Sequence, residues 1–589
     1  MSTNKKALIL TFILLPILLF MQACEQTDES TSLHSLFDEA WDYQLSEDPL
    51  YATRVGVHDY NDLLPVETEE AYQSRLEKNR EFLERLSEIN YDELERQDQI
   101  SFDIFETQLK DRIEEYEFKT YQVPITNRSG FHVNFVQLAD RVPLNTVEDY
   151  ENYISRLNQF QEYSNQHIEL MRAGIERGWV LPEPSLADYD ATLEPQIVDT
   201  PGESRLYEPF ENFPRSIAED HRQRLEEAGR EAIMNSVVPG YETFLAFMEE
   251  EYVPNARPEI GISTVPDGVA FYEFIVRHYT TLDLTPEEVH QTGLDEVQRI
   301  RDEMMGVIEE TEFDGTFDEF VHFLRTDPQF YPETKEELLK EVAYALKKID
   351  GAMPEIFKTL PRMPYGIREV PDFIAPRTTT AYYQRPAGDG TRAGFYYVNT
   401  YDLSSRPLYE VEALSLHEAV PGHHHQIALQ QELDLPDFRR FAGFTVFSEG
   451  WGLYSERLGL ETGFYEDPYS DFGRLSYEMW RALRLVVDTG MHYLGWTRQE
   501  AIDFMAENSA LTLHNIRSEV DRYISWPGQA VAYKTGELKI RELREYAENE
   551  LGENFDVRTF HDAVLLSGAV PLHVLEENIE NYIDETRSR

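Results

Sequence analysis

The chain is organised around LHEAVPGHHHQ, residues 416–426 of its 589. A His-Glu pair, His417-Glu418, stands a few residues before three consecutive histidines, in a chain that has only 16 histidines. Proline and glycine separate the two groups. A proline inside a helix removes a backbone hydrogen bond and clashes with the carbonyl four residues earlier. The sequence therefore predicts a helix that bends or bulges at Pro421-Gly422, where glycine gives the backbone the freedom to do so.

The first residues of this stretch carry a chemical pattern. His417-Glu418 matches the beginning of His-Glu-x-x-His, in which two histidines one helical turn apart bind zinc and the glutamate is the general base. Pro421 stands where the second histidine belongs. Glu418 is our predicted catalytic base, which would take a proton from an attacking water and pass it to the leaving group.

Helix geometry limits which other histidine can share a metal ion with His417. On an undistorted helix, His423 would point about 120° away from His417, and His424 would lie roughly 10 Å along the axis. A two-residue bulge at Pro421-Gly422 would move His423 into the place of the missing ligand. We predict His417 and His423 as metal ligands, with His424 as the alternative. His425 is expected to face solvent or to support the ligands.

A third ligand is expected from FSEGWGLYSE, residues 447–456. A catalytic zinc takes three protein ligands and keeps an open position for water. Glu449 follows His423 by enough residues for a helix to end, turn and return, and apolar or small residues surround it. We predict Glu449 as the third ligand of a zinc cofactor. Glu456 lies two turns further along the same face, where it would either hold a ligand histidine or face solvent.

The amino terminus has the features of a signal peptide. Lys5-Lys6 precede an apolar run of about 14 residues, which is shorter than the roughly 20 needed to cross a bilayer. Cys24 is the only cysteine and occupies the position of a bacterial lipoprotein box. We predict a signal peptide at residues 1–23, a polar tether at 24–32 and lipidation of Cys24. The alternative is an ordinary secretory signal with a chance cysteine.

The charge balance excludes one class of partner. The chain has 110 acidic and 53 basic residues and a formal net charge of −57. Nucleic-acid binding depends on Lys and Arg that neutralise phosphates, so we expect no nucleic-acid partner. The acidic surface is explained either by solubility or by adaptation to high salt, where screening relieves the repulsion.

Helical patterns dominate the rest of the chain, which predicts a mainly α fold. Apolar residues recur at threes and fours through residues 33–60 and 69–118. Four Thr-x-x-Glu capping boxes mark predicted helix starts, at Thr285, Thr316, Thr334 and Thr497. We divide the helical domain, residues 33–589, into an N-terminal lobe at about 33–270 and a C-terminal catalytic lobe at about 271–589. Residues 181–215, rich in Pro and acids, are predicted to form a long surface loop between the lobes.

Strand signals are confined to residues 378–384 and 394–400, which are rich in Thr, Tyr and Val and joined by a turn at 386–390. They predict a β-hairpin just before the histidine stretch. Such a strand edge would bind an extended substrate as an added strand, or the hairpin would only cover the core.

Two motifs together resemble a known family. HEAVPGHH and FSEGWGLYSE are similar to the bacterial domain of unknown function 885 family, grouped with gluzincin-like metallopeptidases. The resemblance extends to YYVNT (396–400), VDTGMH (487–492), EVDRYISWPGQA (519–530), RELR (541–544) and FH (560–561). His425 departs from the pattern, and no role is carried onto it. The resemblance implies a two-lobed, mainly helical fold with zinc in a deep cleft, and we expect the predicted hairpin to form a small sheet beside that cleft.

The resemblance also points to four possible catalytic residues. They are His492, Arg522, Tyr523 and Tyr533. A hydrolase that forms a tetrahedral oxyanion needs a hydrogen-bond donor opposite the metal, and these side chains can donate. Arg522 could instead bind a substrate carboxylate with two hydrogen bonds. Each also has a purely structural explanation as a core residue or as the partner of one of many acids.

The expected activity is zinc-dependent hydrolysis of amide bonds in short peptides, by a protein held by lipid to a bacterial membrane, facing the periplasm or on the cell surface. One alternative is a non-catalytic extracytoplasmic lipoprotein that binds metal or peptide. Another is a metallohydrolase that acts on esters or cell-wall amides.

The salt hypothesis leads to a stability prediction. If the acidic surface is adapted to salt, the melting temperature should rise as NaCl increases from dilute to molar, because screening weakens the repulsion among carboxylates. Thermal melting followed by circular dichroism measures it. A melting temperature that stays flat or falls over this range contradicts the hypothesis.

Overall fold

The computed structural model describes residues 28–372 and 374–588 of the chain. These residues form a mainly α fold with one small sheet, which confirms the predicted fold class. None of the helices in this part of the chain is long and apolar enough to cross a membrane. Cys24 and the predicted signal peptide lie outside the described residues.

The helices cover most of the described chain. The first part contains α1 (Asp28–Glu47), α2 (Pro49–Val55), α3 (Glu69–Ser87), α4 (Arg96–Phe118), α5 (Phe131–Val136), α6 (Val147–Arg177), α7 (Asp190–Leu193), α8 (Glu208–Glu211), α9 (Glu219–Ala232), α10 (Val238–Phe247) and α11 (Gly268–Thr280). The middle contains α12 (Pro286–Glu310), α13 (Phe317–Thr326), α14 (Lys335–Ile356), α15 (Val411–Glu418), α16 (His423–Glu432), α17 (Asp437–Arg440) and α18 (Thr445–Leu458). The last part contains α19 (Pro468–His492), α20 (Arg498–Asn508), α21 (Leu513–Ser525), α22 (Ala532–Leu551), α23 (Val557–Leu565) and α24 (Leu572–Ser588).

Helix starts agree well with the sequence. Three of the four predicted capping boxes are complete, at the starts of α12, α13 and α20. At the start of α14 the Thr334 hydroxyl accepts from the Glu337 N–H, but the Glu337 carboxylate accepts from the Glu333 N–H instead of closing the box. Helix α1 begins at Asp28, so the described part of the predicted tether at 24–32 is helical.

The sheet contains the predicted hairpin and one strand that was not predicted. Strands β2 (Ala381–Gln384) and β3 (Gly394–Val398) pair antiparallel, with Ala381 opposite Val398. Strand β1 (Tyr365–Glu369) pairs parallel to β3, giving the order β1-β3-β2. With five residues after a proline-rich stretch, β1 is too short to show alternation, and only its partner makes it a strand.

Three large cores organise the packing, and they divide the chain differently from the predicted lobes. One core joins residues of α1 and α4, such as Phe37 and Phe105, to residues of α15, α18 and α22–α24, such as Trp451. A second core lies among α12–α14, α19 and α21. The third contains α6, α9 and α10. The first helices therefore pack with the C-terminal half, and position 270 is not a boundary between cores.

Residues 181–215 do not form a loop between lobes. Leu193, Leu206 and Phe210 are buried in the third core, and short helical turns including α7 and α8 run through the segment. The prediction of a surface loop was wrong. The segment consists of short helical turns, so its buried apolar residues do not recur with the regular period of a long helix.

Helices α18 and α22 cross with their backbones in contact. A Cβ atom on Gly536 would lie 2.0 Å from the Val446 carbonyl oxygen, and one on Gly450 would lie 2.5 Å from the Gly536 Cα. Because neither glycine can carry a side chain here, the helices approach closely, and this brings Glu449, next to Gly450, near Tyr533, about one turn before Gly536.

We expect Gly536→Ala to lower the melting temperature, because the added methyl group forces the two helices apart. Overpacking of this kind costs about 1–3 kcal/mol. Thermal unfolding measures the effect. The control is Gly306→Ala, on the exposed face of α12, where a Cβ would meet nothing within 4 Å. That change should be neutral or stabilise by up to about 1 kcal/mol. Equal melting of Gly536→Ala and the wild type would contradict the close contact.

Candidate metal centre

The histidine stretch is a complete break between two helices. Helix α15 ends at Glu418 and α16 begins at His423. The Gly422 N–H donates to the Leu416 carbonyl oxygen at 2.9 Å. A Cβ on Gly422 would lie 1.8 Å from the His417 carbonyl oxygen, so only glycine fits this position. The predicted distortion is present, as an interruption of four residues instead of a bulge within one helix.

Helix α18 holds this loop and its first histidine in place. The buried indole of Trp451 donates its Nε1–H to the Pro421 carbonyl oxygen at 2.8 Å. Gly452 leaves room for the imidazole of His417, since a Cβ there would lie 2.7 Å from the His417 Cε1. Within the Glu-Gly-Trp-Gly sequence of α18, the tryptophan therefore hydrogen-bonds the loop and the second glycine leaves room for His417.

His417, His423 and Glu449 form a cluster of possible metal ligands. Glu449 Oε2 lies 3.4 Å from His417 Nε2 and 3.5 Å from His423 Nε2. The three ligand atoms all lie within 4.8 Å of one another. These separations are long for hydrogen bonds. They match the roughly 3.3 Å that separates two ligand atoms placed about 2 Å from a tetrahedral zinc. The structure therefore brings together the three residues that the sequence singled out as ligands.

The ring nitrogen of His417 that faces away from the cluster, Nδ1, contacts a buried carboxylate. His417 Nδ1 lies 2.8 Å from Glu456 Oε1, and both side chains are buried. The Arg481 guanidinium lies 3.5 Å from the same carboxylate oxygen. A carboxylate on the outer nitrogen fixes the ring orientation of a ligand histidine and raises its basicity. Glu456 occupies the supporting position expected for it, and Arg481 is a residue that sequence reasoning missed.

Charge is unusually concentrated in this small volume. Burial lowers the pKa of His417, but the carboxylates of Glu449 and Glu456 outweigh burial and raise it to about 9. Burial raises the pKa of Glu449, but His423 and His417 lower it well below its usual range. Two carboxylates beside two imidazoles thus favour a bound cation.

Glu418 lies next to this cluster and is nearly buried. Burial raises the pKa of its carboxyl, while His423 and His417 act in the opposite direction. The buried Tyr396 of β3 lies close enough that Glu418, together with burial, raises the pKa of its hydroxyl. The sheet therefore contributes a wall to the site. The sequence indicated the strand that carries Tyr396, through its Phe-Tyr-Tyr-Val pattern. It did not show which of the two tyrosines faces the site.

Tyr533 is the residue from the C-terminal group that approaches the cluster. Burial and the neighbouring Glu449 raise the pKa of its hydroxyl. The guanidinium carbon of Arg484 lies 4.3 Å from the centre of its ring. Arg522 lies on the same side but is engaged, donating to the Glu519 carboxylate at 3.2 Å and to the Gln529 side chain at 2.8 Å.

Neither His424 nor His425 belongs to the cluster. His424 Nδ1 lies 2.9 Å from the Tyr383 hydroxyl, and its Nε2 lies 2.9 Å from the Met363 carbonyl oxygen. His425 is fully buried, with its ring 4.4 Å from that of Phe357, so the expectation of a solvent-facing residue was wrong. Successive helical residues turn by about 100°, so once α16 restarts at His423 the next two side chains must point elsewhere.

Two of the predicted catalytic residues have structural roles instead. His492 Nδ1 accepts from the Ile262 N–H at 3.1 Å, and its Nε2 lies 2.9 Å from the Tyr523 carbonyl oxygen. The Tyr523 hydroxyl donates to Glu519 and accepts from Trp480 and Arg484. Both side chains are buried with their polar atoms engaged by the protein, so neither is available to a substrate. The sequence could not distinguish these roles, because it does not show which backbone groups lie opposite.

The fold and the site define a mainly helical protein with a partly buried cluster of two histidines and one glutamate that could hold a metal ion. The chain belongs to the family described as "Bacterial protein of unknown function (DUF885)", whose match extends over residues 49–579. No curated protein matches the chain.

Two solved structures share the fold. "The crystal structure of the putative lipoprotein from Colwellia psychrerythraea" has a TM-score of 0.90 and 29% sequence identity, and the match covers 95% of this chain and 100% of that one. "The structure of a putative lipoprotein of unknown function from Shewanella oneidensis" has a TM-score of 0.69 and 17% sequence identity, and the match covers 92% of this chain and 99% of that one. The second similarity shows the fold alone.

We expect Glu456→Gln to lower zinc affinity about 10–100-fold, since loss of the carboxylate behind a ligand histidine weakens both its orientation and its basicity. Competition with a fluorescent chelator measures the affinity. Glu461→Gln is the control, because Glu461 pairs with Arg544 at the surface. Affinity in both should fall as pH falls, because the imidazoles must be neutral to bind. An unchanged affinity in Glu456→Gln would contradict a supporting role for Glu456.

Proposed function

We propose that this chain is a zinc-dependent hydrolase of peptide bonds in short peptides. The observation that supports it best is the convergence of His417 Nε2, His423 Nε2 and Glu449 Oε2 at 3.4 and 3.5 Å, with Glu418 adjacent. A catalytic zinc typically has three protein ligands, such as two imidazoles and one carboxylate, and an open position that faces solvent. His423 and Glu449 retain some solvent exposure, so a substrate would reach the centre from their side.

The roles of the residues follow from their surroundings. Bound zinc would act as a Lewis acid that polarises a carbonyl and lowers the pKa of water. Glu418 would accept a proton from the attacking water and donate it to the leaving amine. Tyr533 is the proposed donor to the oxyanion, with Arg484 against its ring.

Location and substrate size complete the proposal. The similarity to a protein described as a putative lipoprotein supports lipidation of Cys24, which would hold the chain to a bacterial membrane outside the cytoplasm. A cavity of about 1240 Å³ approaches the site and is lined by Tyr383. A cavity of this size would take a short peptide and would exclude a folded protein.

We expect Glu418→Gln to keep bound zinc and to lose peptide turnover by about 10²–10⁴-fold, because the amide cannot accept the proton. Mass spectrometry of a mixed peptide library, with elemental analysis of the protein, measures both quantities. Chelated wild type should also be inactive, and Glu461→Gln should retain full activity.

The same experiment separates the alternatives. Undiminished cleavage by Glu418→Gln would contradict the mechanism. Peptide binding without turnover in the wild type would favour a binding protein. Turnover of ester or cell-wall amide substrates, but of no peptide, would favour a different hydrolase.

A further inference from the structure

The large cavity lies between helix α2 and the turn of the hairpin. Its volume is about 1240 Å³. Tyr383 of β2 lines the cavity, and the centre of its ring lies 6.4 Å from the centre of the His423 ring. None of the three proposed ligands lines the cavity, so Tyr383 is the residue through which it comes near the metal centre.

Six arginines line this cavity without a carboxylate partner within 4 Å among the described residues. Arg112 donates to the Gln44 side chain, and Arg156 donates to three backbone carbonyl oxygens and the Thr53 hydroxyl. The other four are Arg54, Arg141, Arg385 and Arg392; Arg54 lies over the ring of Tyr51, and Arg141 donates to the Gln137 side chain. In a chain with a net charge of −57, so many arginines without acidic partners in one cavity need an explanation.

The acidic side chains of the cavity do not supply the missing partners. Most already have partners elsewhere: Glu47 and Glu67 pair with Arg75, Asp140 pairs with Arg205, Asp389 accepts from Thr391, and Asp48 accepts from the Tyr51 N–H. Burial raises the pKa of Glu115, the remaining acid, which favours its neutral form. Asp48 and Asp389 are engaged only by neutral groups, but no carboxylate of the described residues lies within 4 Å of the four guanidinium groups, so these can bind an anion that enters the cavity.

Tertiary packing holds the arginines together. The turn after β2 lies against the end of α2, where a Cβ on Gly388 would come within 2.3 Å of the Val55 carbonyl oxygen. This contact places Arg385 near Arg54. Burial and the nearby positive charge of Arg54 lower the pKa of Arg385. Holding like charges close together costs free energy, and a bound anion would offset that cost.

We propose that this arginine cluster, with Arg385 at its centre, binds a carboxylate of the substrate peptide. The inference rests on the proposed function, because it names the feature of the peptide that the same site recognises. Tyr383 and Arg385 are two residues apart, which in an extended chain is roughly 7 Å. Added to the 6.4 Å between the Tyr383 and His423 rings, this places the cluster about four extended peptide residues from the metal ligands. The planar guanidinium group matches a carboxylate in shape and charge.

The test measures binding separately from turnover. In zinc-loaded Glu418→Gln protein, calorimetry compares N-acetyl-trialanine with its C-terminal amide, and with the amide of N-acetyl-Ala-Glu-Ala. We expect the free acid to bind about 10–100-fold more tightly than its amide, as hydrogen bonds between charged groups do. Strong binding of the Ala-Glu-Ala amide would assign the carboxylate to a side chain instead of the C-terminus.

Adding Arg385→Gln should reduce the binding of the carboxylate peptide to that of the neutral amide. Arg54→Gln should give a smaller loss in the same direction, and serves if Arg385→Gln does not fold. The control is Arg80→Gln, an exposed arginine paired with Glu117 away from the cavity, which should change nothing. Equal binding of all three peptides, or a preference that survives both cavity substitutions, overturns the inference. Arg385-dependent binding by a protein that cleaves no peptide would leave this inference standing and reject the proposed function.

Discussion

The close contact between Gly422 and the carbonyl of His417 determines where the candidate ligands lie. A Cβ at this position would stand 1.8 Å from the carbonyl oxygen, so the chain can turn here only because residue 422 has no side chain. The turn ends one helix after Glu418 and starts the next at His423. As a result His417 and His423, which would diverge on a continuous helix, face the same carboxylate of Glu449.

Buried charge supports the neighbouring helices. Lys534, which follows Tyr533, is fully buried with its Nζ 2.8 Å from carboxylates of Glu296, Glu478 and Glu537. Such a network costs desolvation energy, and removing one member would leave an uncompensated charge. It ties α22 to α12 and α19, while the glycine contact ties α22 to α18. Tyr533 is thereby held between fixed supports on both sides.

Part of the candidate site could be predicted because its chemistry is local in the sequence. The His-Glu pair, the proline and glycine after it, and the glutamate of the following motif limited the ligands to a few residues. The residues that were misassigned, His492 and Tyr523, form most of their hydrogen bonds with partners more than 30 residues away. Polar side chains of the same type look equivalent until those partners are known. The fold showed the same limit, since the capping boxes were local and correct, whereas β1 and the buried segment at 181–215 depend on distant contacts.

The sequence by itself determined the helical class, the break at Pro421-Gly422, and the identity of His417, Glu418 and Glu449 as the residues of interest. These follow from periodicity, backbone sterics and spacing, which operate over a few residues. Tertiary structure alone decided between His423 and His424, and alone brought Arg54 and Arg385 into one cavity. The physical reason is that side-chain direction after a helix break, and contacts between distant segments, are set by close packing across the whole molecule.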